Sequence, residues 1–300
     1  MYAIETERLT RRFGRLEAVD GLNLVVPAGS VFALVGPNGA GKTTAIKLMM
    51  NLLSATSGRA TVLGTDSRAI GVREFQRIGY VSENQQLPDW MSPAALLDYC
   101  RPFYSSWDRE FAGRLQRTLE LHSDAPLRTL SRGTRMKAAL LASLAYRPEL
   151  VVLDEPFSGL DPLVRDELVR ALLEAPGDRG WTVFLSSHDV DEVERLADWI
   201  GFLSAGRLVV AEPVESLLGR FRLVEVVAGD AMPLTVPRVD TWIPQGGAGR
   251  TLRFIDAAHR ADARERIAAA FPGATVHVQP MPLRDIFVAL ARTHVQAEAI

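Results

Sequence analysis

The stretch Gly36-Pro37-Asn38-Gly39-Ala40-Gly41-Lys42-Thr43 decides the fold of this chain. It meets the pattern G-x-x-x-x-G-K-[ST], in which backbone N–H groups of a glycine-rich turn surround phosphate groups. Residues 30–35 before it, apolar from Val31 onward, predict a buried strand, and residues 42–53 predict a helix. A loop between a strand and a helix presents the positive end of the helix dipole to an anion. The stretch therefore predicts a nucleoside-triphosphate site in an α/β fold with a mostly parallel sheet.

Two side chains of this loop are expected to carry chemistry of their own. Lys42 is expected to reach the β- and γ-phosphates and to assist the reaction, and the Thr43 hydroxyl is expected to bind Mg²⁺. The other nucleotide contacts are expected from Gly36, Pro37, Asn38, Gly39, Ala40, Gly41 and Thr44. A glycine-rich turn without a ligand is the alternative, and the strand and helix around the loop disfavour it.

The composition is that of a folded globular chain with room for more than one domain. Its 300 residues exceed the usual single-domain size, and 47% are hydrophobic against 23% charged. A net charge of −2 gives no overall attraction to nucleic acid, so no nucleic-acid partner is expected. The single cysteine, Cys100, forms no internal disulfide. The acidic start disfavours a signal peptide, and every apolar run is far shorter than the roughly 20 residues that cross a bilayer, so we expect a cytoplasmic location.

A second candidate segment is the acidic pair Asp154-Glu155, which follows the apolar residues 150–153. These residues predict a buried strand, and carboxylates at a strand end beside a phosphate loop are typical of a Walker B site. Asp154 is expected to hold Mg²⁺ through water, and Glu155 to orient the attacking water. Two solvated acids at a strand end are the other interpretation, which the phosphate loop disfavours.

Further short motifs follow the order found in ABC ATPases, and the chain resembles that family over about residues 1–218. Leu130-Ser131-Arg132-Gly133-Thr134 is similar to the LSGGQ signature, and Ser158-Gly159-Leu160-Asp161 matches the D-loop. His188 stands where the family has its switch histidine, and Phe13 where an aromatic ring stacks on adenine. The resemblance implies a P-loop NTPase core with an inserted helical subdomain, and ATP and Mg²⁺ as cofactors.

The resemblance also implies a second nucleotide-binding subunit, identical or paralogous. In ABC ATPases the signature of one subunit closes over the ATP held by the phosphate loop of the other. Ser131, Gly133 and Asp161 are then expected to contact the nucleotide across the interface, and His188 is expected to act at the γ-phosphate as a catalytic residue. Ordinary structural roles stay open for these residues. Ser131 and Asp161 are also suited to helix capping, His188 to a structural role, and Phe13 to packing.

Two positions depart from the family pattern. Glu83 stands where the family usually has glutamine, and a carboxylate there is able to bind Mg²⁺ directly while adding negative charge near the phosphates. We therefore expect Glu83 to join Thr43 and Asp154 in binding the metal. Arg132 replaces the first glycine of the signature, and it either adds a cation near the phosphates or faces solvent.

The rest of the sequence predicts two additions to the nucleotide-binding core. Helical patterns over about residues 85–145 indicate a helical subdomain inserted within the domain at 1–218. Residues 219–300 show short alternating apolar segments and two helical patterns, which predict a small α+β accessory domain. Within it, Gly246-Gly247-Ala248-Gly249 has no following lysine and is predicted to be a flexible turn.

These features favour a subunit that powers a membrane transporter through ATP-driven dimerisation. Its expected partner is a transmembrane permease, which would hold it peripherally on the inner face of the membrane. Trp90, Phe103, Tyr104 and Trp107 either line a groove for a helix of that permease or pack in the core.

A soluble ABC ATPase that acts on nucleic acid or ribosomes is the alternative function. Such proteins usually have long coiled-coil insertions, zinc modules or a second fused nucleotide domain, and this sequence has none of them. A GTPase or kinase of another family is disfavoured because a guanine-recognition motif is absent from the sequence.

Overall fold

The computed structural model describes residues 1–122, 124–174, 180–227 and 235–298. The chain divides into two compact units, Met1–Ala211 and Glu212–Ile300. The division falls a few residues before the predicted boundary at residue 219, because the helix Val214–Arg220 belongs to the second unit. In the described part of the chain, no helix is long and apolar enough to cross a membrane.

The regular elements of the described residues are numbered here in chain order. The strands are β1 (Tyr2–Phe13), β2 (Leu16–Pro27), β3 (Val31–Val35), β4 (Ser57–Val62), β5 (Thr65–Asp66), β6 (Ile78–Ser82), β7 (Leu150–Asp154), β8 (Thr182–Ser187), β9 (Trp199–Ser204), β10 (Arg207–Pro213), β11 (Arg222–Val227), β12 (Trp242–Ala248), β13 (Thr251–Asp256) and β14 (Thr275–Pro280). The α-helices are α1 (Lys42–Met49), α2 (Val72–Phe75), α3 (Pro93–Cys100), α4 (Arg109–Thr118), α5 (Arg132–Leu144), α6 (Pro162–Glu174), α7 (Val190–Val193), α8 (Val214–Arg220), α9 (Ala263–Ala270) and α10 (Leu283–Glu298).

A six-stranded sheet forms the centre of the first unit, in the order β10-β9-β3-β8-β7-β6. The pairs β3–β8, β3–β9, β7–β8 and β6–β7 are parallel. Strands β7 and β8 are buried along their whole length, as expected for parallel strands that are covered on both faces. Parallel strands end at the same edge of a sheet, so the segments that follow β3, β6, β7 and β8 meet there.

A second, antiparallel sheet in the first unit escaped the sequence analysis. Its order is β2-β1-β4-β5, and its buried residues share one hydrophobic cluster with β3 and α1. Phe13 lies at the end of β1. The same cluster holds α1, which ends at Met49 rather than at the predicted residue 53, because Asn51 adopts a left-handed φ of 55°.

The segment between β6 and β7 is mainly helical and contains α3, α4 and α5. Ser92, Asp108 and Ser131 each accept a hydrogen bond from the backbone N–H three residues later, and one helix begins after each of them. The apolar faces of α4 and α5 are buried, which fits their predicted periodicity.

The second unit contains an antiparallel sheet in the order β12-β13-β11-β14 together with α8, α9 and α10. Aromatic and branched side chains fill its core: Val224, Val226, Trp242, Leu252, Phe254, Ile267 and Phe271. The predicted turn at residues 246–249 is wrong for residues 246–248, which belong to β12, because an irregularity between Pro244 and Gly246 lets the strand continue. Residues 228–234 and 299–300 of the predicted accessory domain lie outside the described residues.

Candidate nucleotide site

The predicted site residues meet at one edge of the central sheet. Val35, the last residue of β3, pairs with Ser187 of β8, and Asp154 of β7 pairs with Ser186. The loop at residues 36–43 and the segments that begin with Glu155 and His188 therefore leave neighbouring strands at the same level. This is the carboxyl-end crevice in which open parallel sheets bind ligands.

Packing explains two glycines of the phosphate loop. A Cβ atom on Gly36 would lie 2.1 Å from the carbonyl oxygen of Leu203. Gly41 has a φ of 104°, and a Cβ atom there would lie 2.1 Å from the carbonyl oxygen of Ala18. No other residue fits either position, whatever the loop binds. The glycines thus let the loop pack tightly against the backbone of Leu203 and Ala18.

Lys42 is buried at the centre of the loop. Its Nζ donates to the carbonyl oxygens of Gly36 at 2.7 Å and Pro37 at 3.2 Å, and it lies 3.0 Å from Oε1 of Glu155. The side chains of Lys42 and Glu155 are only 5% and 9% exposed. A cation held in this way attracts phosphate to the loop and at the same time fixes one oxygen of Glu155.

Thr43 and Asp154 offer oxygen ligands of the kind that Mg²⁺ prefers. The Thr43 hydroxyl donates to Oδ1 of Asp154 at 2.9 Å, and the Ser186 hydroxyl donates to the same oxygen at 2.8 Å. A hydroxyl, a carboxylate and phosphate oxygens suit a small hard cation that keeps several waters. The described residues contain no cluster of three or more His, Cys, Asp or Glu side chains that could hold a metal by themselves. The donor set fits a magnesium ion that shares its ligands with phosphate.

Burial raises the pKa of the Asp154 carboxyl above its ordinary value, against the opposing hydrogen bonds from Ser186 and Thr43. As pH rises, the Asp154 carboxyl loses its proton at a lower pH in the unfolded chain than in the folded protein. The free energy of unfolding therefore falls as pH rises from the ordinary pKa through the raised one. We expect Asp154→Asn to make the protein without nucleotide more stable at neutral pH and to flatten its stability–pH profile. Urea unfolding between about pH 4 and pH 7 measures both effects.

The exposed Asp89 provides a matched control for this variant. Asp89→Asn should leave the profile of the wild type unchanged. A profile for Asp154→Asn that stays as steep as that of the wild type would contradict the inference.

Glu155 is held at both carboxylate oxygens. Besides the Lys42 contact at Oε1, Oε2 lies 2.8 Å from Nδ1 of His188 and accepts the backbone N–H of His188 at 3.2 Å. The Glu155 backbone N–H donates to Oγ of Ser186 at 3.0 Å. Glu155 also adopts a left-handed φ of 51°, a conformation that several other non-glycine residues of the described chain share. The carboxylate is thus fixed beside the phosphate loop, as a water-orienting group must be.

Other predicted site residues lie outside this contact network. Oγ of Ser131 accepts the backbone N–H of Thr134, and Oδ1 of Asp161 accepts that of Val164, both at 3.1 Å. Each side chain therefore caps a helix, as the structural interpretation expects. A Cβ atom on Gly133 would lie 3.0 Å from Val164, so this glycine allows α5 and α6 to approach.

Phe13 lies on the surface at the end of β1. Its side chain is 45% exposed, and the guanidinium of Arg11 lies 4.6 Å from the ring centroid. An exposed ring that already carries a cation on one face is a suitable stacking surface for a planar base. The adenine contact stays a prediction.

The sequence analysis missed a buried carboxylate close to His188 in the chain, Glu192. Glu192 accepts a hydrogen bond from the hydroxyl of Ser187 at 2.8 Å, and its other oxygen lies 2.8 Å from a guanidinium nitrogen of Arg165 on α6. Burial raises the pKa of Glu192, which the Ser187 hydrogen bond and Arg165 oppose. These contacts connect the segment of His188 to α6. No sequence pattern pointed to Glu192, since an acid in a short helix reads as a solvated surface residue.

The two departures from the family pattern contact each other. A guanidinium nitrogen of Arg132 lies 3.2 Å from Oε1 of Glu83, and the Ser158 hydroxyl donates to the same oxygen at 3.1 Å. Neither interpretation of Arg132 anticipated this pairing. Glu83 lies beyond β6, whose last residue, Ser82, pairs with Asp154.

Comparisons with known proteins give a consistent result. A protein-family profile described as "ABC transporter" matches residues 19–158. An uncharacterized ABC transporter ATP-binding protein of Synechocystis sp. is 35% identical over 71% of this chain and 61% of its own length. The bacitracin transport ATP-binding protein BcrA of Enterococcus faecalis is 31% identical over 74% of this chain and 72% of its own. The lantibiotic transport ATP-binding protein SrtF of Streptococcus pyogenes is 32% identical over 69% of this chain and 89% of its own length.

Solved structures agree on the fold. A structure described as the ATP-binding subunit of an ABC transporter has a TM-score of 0.64 at 24% identity, over 72% of this chain and 91% of its own. A dimeric post-hydrolysis state of the ATP-binding cassette MJ0796, bound to ADP and Pi, has a TM-score of 0.61 at 20% identity. This match covers 70% of this chain and 98% of the cassette. Both matches span about as much of the chain as the first unit does.

Proposed function

This chain belongs to the family of ABC transporter ATP-binding proteins, and from that premise we propose that it is the ATP-binding and ATP-hydrolysing subunit of a membrane transporter. One observation carries the proposal: Lys42, Glu155 and His188 form a continuous chain of contacts beside the Thr43–Asp154 pair. This arrangement supplies a cation for phosphate, oxygen ligands for a metal and a fixed carboxylate for water.

Each residue of the site has a defined task in this proposal. Lys42 and the loop N–H groups bind the phosphates, and Thr43 and Asp154 hold the metal, with Glu83 as a further candidate ligand. Mg²⁺, when bound, neutralises charge that develops between the β- and γ-phosphates. Glu155 orients the attacking water, and His188 keeps that carboxylate in place through Nδ1.

The proposal includes a second nucleotide-binding subunit. Ser131 and Gly133 lie at the amino end of α5, where backbone N–H groups and the helix dipole favour an anion. With Asp161, they are assigned to the nucleotide of the partner subunit. The dimeric form of the cassette MJ0796 supports an interface of this type.

A groove in the first unit is the proposed contact surface for a transmembrane permease. A cavity of about 600 Å³ lies between residues 83–87 and α5. Trp90, which lines this cavity, is 65% exposed, and Phe103, which follows α3 and does not line the cavity, is 60% exposed. Tyr104 stacks on Tyr146 with ring centroids 3.7 Å apart, so it serves packing instead. Large exposed aromatic side chains are typical of interfaces.

We expect the double variant Trp90→Ala/Phe103→Ala to lose association with host membranes by about tenfold or more, because truncated aromatic anchors commonly cost over about 1.4 kcal/mol. Its ATPase rate in solution should stay within about twofold of wild type, since both side chains lie outside the catalytic contacts. Membrane flotation after mild cross-linking in the native host measures the association.

The exposed Val72, at 85% exposure, supplies the control, and Val72→Ala should leave membrane association unchanged. Recovery of the wild-type chain with ribosomes or nucleic acid instead of membranes would favour the alternative function. Equal membrane association of the double variant and the wild type would refute the docking surface.

A further inference from the structure

One carboxylate oxygen joins three segments around the site. Oε1 of Glu83 accepts the Ser158 hydroxyl at 3.1 Å and lies 3.2 Å from a guanidinium nitrogen of Arg132. Glu83 follows β6, Ser158 follows the catalytic Glu155 by three positions, and Arg132 is the first residue of α5. The contact therefore connects the sheet edge, the loop behind the catalytic carboxylate and the helical segment.

The pair is partly exposed but lies against the protein. The side chains of Arg132 and Glu83 are 44% and 35% exposed. Gly159 has a φ of 65°, and a Cβ atom there would lie 3.2 Å from a guanidinium nitrogen of Arg132. The arginine thus lies against the backbone of the loop that begins at Glu155, where a larger side chain would displace it.

Each charge of the pair is unfavourable without the other. Arg132 places a cation at the amino end of a helix, where the dipole disfavours positive charge. Glu83 places an anion at the sheet edge that also carries Asp154 and Glu155, where like charges repel. Together they neutralise each other at a distance that permits a hydrogen bond.

We propose that Arg132 is a positioning residue for ATP hydrolysis, which acts through Glu83 and Ser158. It holds the amino end of α5 against the loop at residues 155–161, so that the signature segment and Glu155 keep a fixed relation within one subunit. The proposal rests on the proposed function, because it assigns these residues a role in that reaction. Arg132 does not touch the nucleotide of its own subunit or of the partner in this mechanism.

A double-mutant cycle tests this coupling. Glu83→Gln and Arg132→Gln should each lower kcat for MgATP by about fivefold, since each breaks the same contact, and the combined variant should be no slower than either single variant, because that contact can be lost only once. KM should change by less than about twofold in Arg132→Gln, because positioning of Glu155 affects the reaction rather than binding. Arg132→Lys, which keeps the charge, should retain more activity than Arg132→Gln.

Two further measurements separate positioning from general stability. Melting temperatures of all variants should stay close to wild type, since a half-exposed ion pair contributes little to stability. Arg128→Gln removes an exposed arginine just before the signature and should leave kcat unchanged. Ser158→Ala, which removes the other donor to Glu83, should lower kcat in the wild-type background and have less effect in the Glu83→Gln background.

The outcomes distinguish this inference from the proposed function. Additive effects of Glu83→Gln and Arg132→Gln would overturn the positioning role. A raised KM for Arg132→Gln that is the same in the wild-type and Glu83→Gln backgrounds would also overturn it, because it would assign Arg132 to nucleotide binding. If the wild-type chain neither binds MgATP in calorimetry nor hydrolyses it, the proposed function itself fails, whatever the cycle gives.

Discussion

Replacing Glu155 by glutamine is expected to reduce ATP turnover by about a hundredfold or more while MgATP binding is kept. The carboxylate is fixed by Lys42 at 3.0 Å and His188 at 2.8 Å, so it has the position and the charge to orient a water molecule. Glutamine keeps the shape but loses the charge that attracts a proton of that water. The variant should therefore bind ATP without consuming it, and the ATP-bound dimer should accumulate.

Steady-state phosphate release and analytical ultracentrifugation with MgATP measure the two effects. The control is Glu110→Gln on the surface of α4, where the carboxylate pairs with Arg114, and it should behave as wild type. Turnover of Glu155→Gln within about threefold of wild type would remove Glu155 from the catalytic role.

Replacing Lys42 by alanine should weaken nucleotide binding by about 10- to 100-fold, because a hydrogen bond to a charged group contributes about 1.5–3 kcal/mol. Lys42 is one of only three lysines in the chain, and its ammonium lies inside the loop between the carbonyl oxygens of Gly36 and Pro37. Without it, the loop N–H groups face the phosphates with no cation beside them.

The same change should also destabilise the protein without nucleotide. Glu155 is buried, and removal of its cationic partner leaves its charge only partly compensated, which costs on the order of 3 kcal/mol in comparable buried pairs. Isothermal titration calorimetry and urea unfolding give the two values. Lys47→Ala, an exposed lysine on the same helix, is the control, and unchanged affinity of Lys42→Ala would contradict the assignment of the loop.

Local patterns were sufficient for the elements that carry the site. The apolar runs before Gly36 and Asp154 are buried strands, and the helices after the loop and after Ser131 begin where their first residues indicate. Such patterns work because a parallel strand buried on both faces must be apolar throughout, and because Ser131 caps the start of α5. The helix α1 instead follows Gly41, which has no side-chain cap. The end of α1 and the glycine-containing strand β12 were predicted wrongly, since a left-handed residue and a strand irregularity have weak sequence signals.

The antiparallel sheet β2-β1-β4-β5 was missed for a related reason. Its long strands mix buried and exposed residues with several register shifts, so their alternation is interrupted. Strand order in the central sheet was also beyond the sequence. It is what brings Glu155 between Lys42 and His188, although the three residues are far apart along the chain.

The sequence by itself determined that a phosphate loop, a Walker B pair and a signature-like helix start occur in this chain, because each depends on residues that are neighbours in sequence. Only the tertiary structure decided which of their side chains meet. In the sequence, Glu83 and Arg132 are two separate departures from the family pattern, and Ser158 is part of another motif. In the folded protein, Arg132 and Ser158 both contact Oε1 of Glu83. The physical reason is that charges interact through space over a few ångströms, and the folded sheet and helices, not the spacing along the chain, fix those distances.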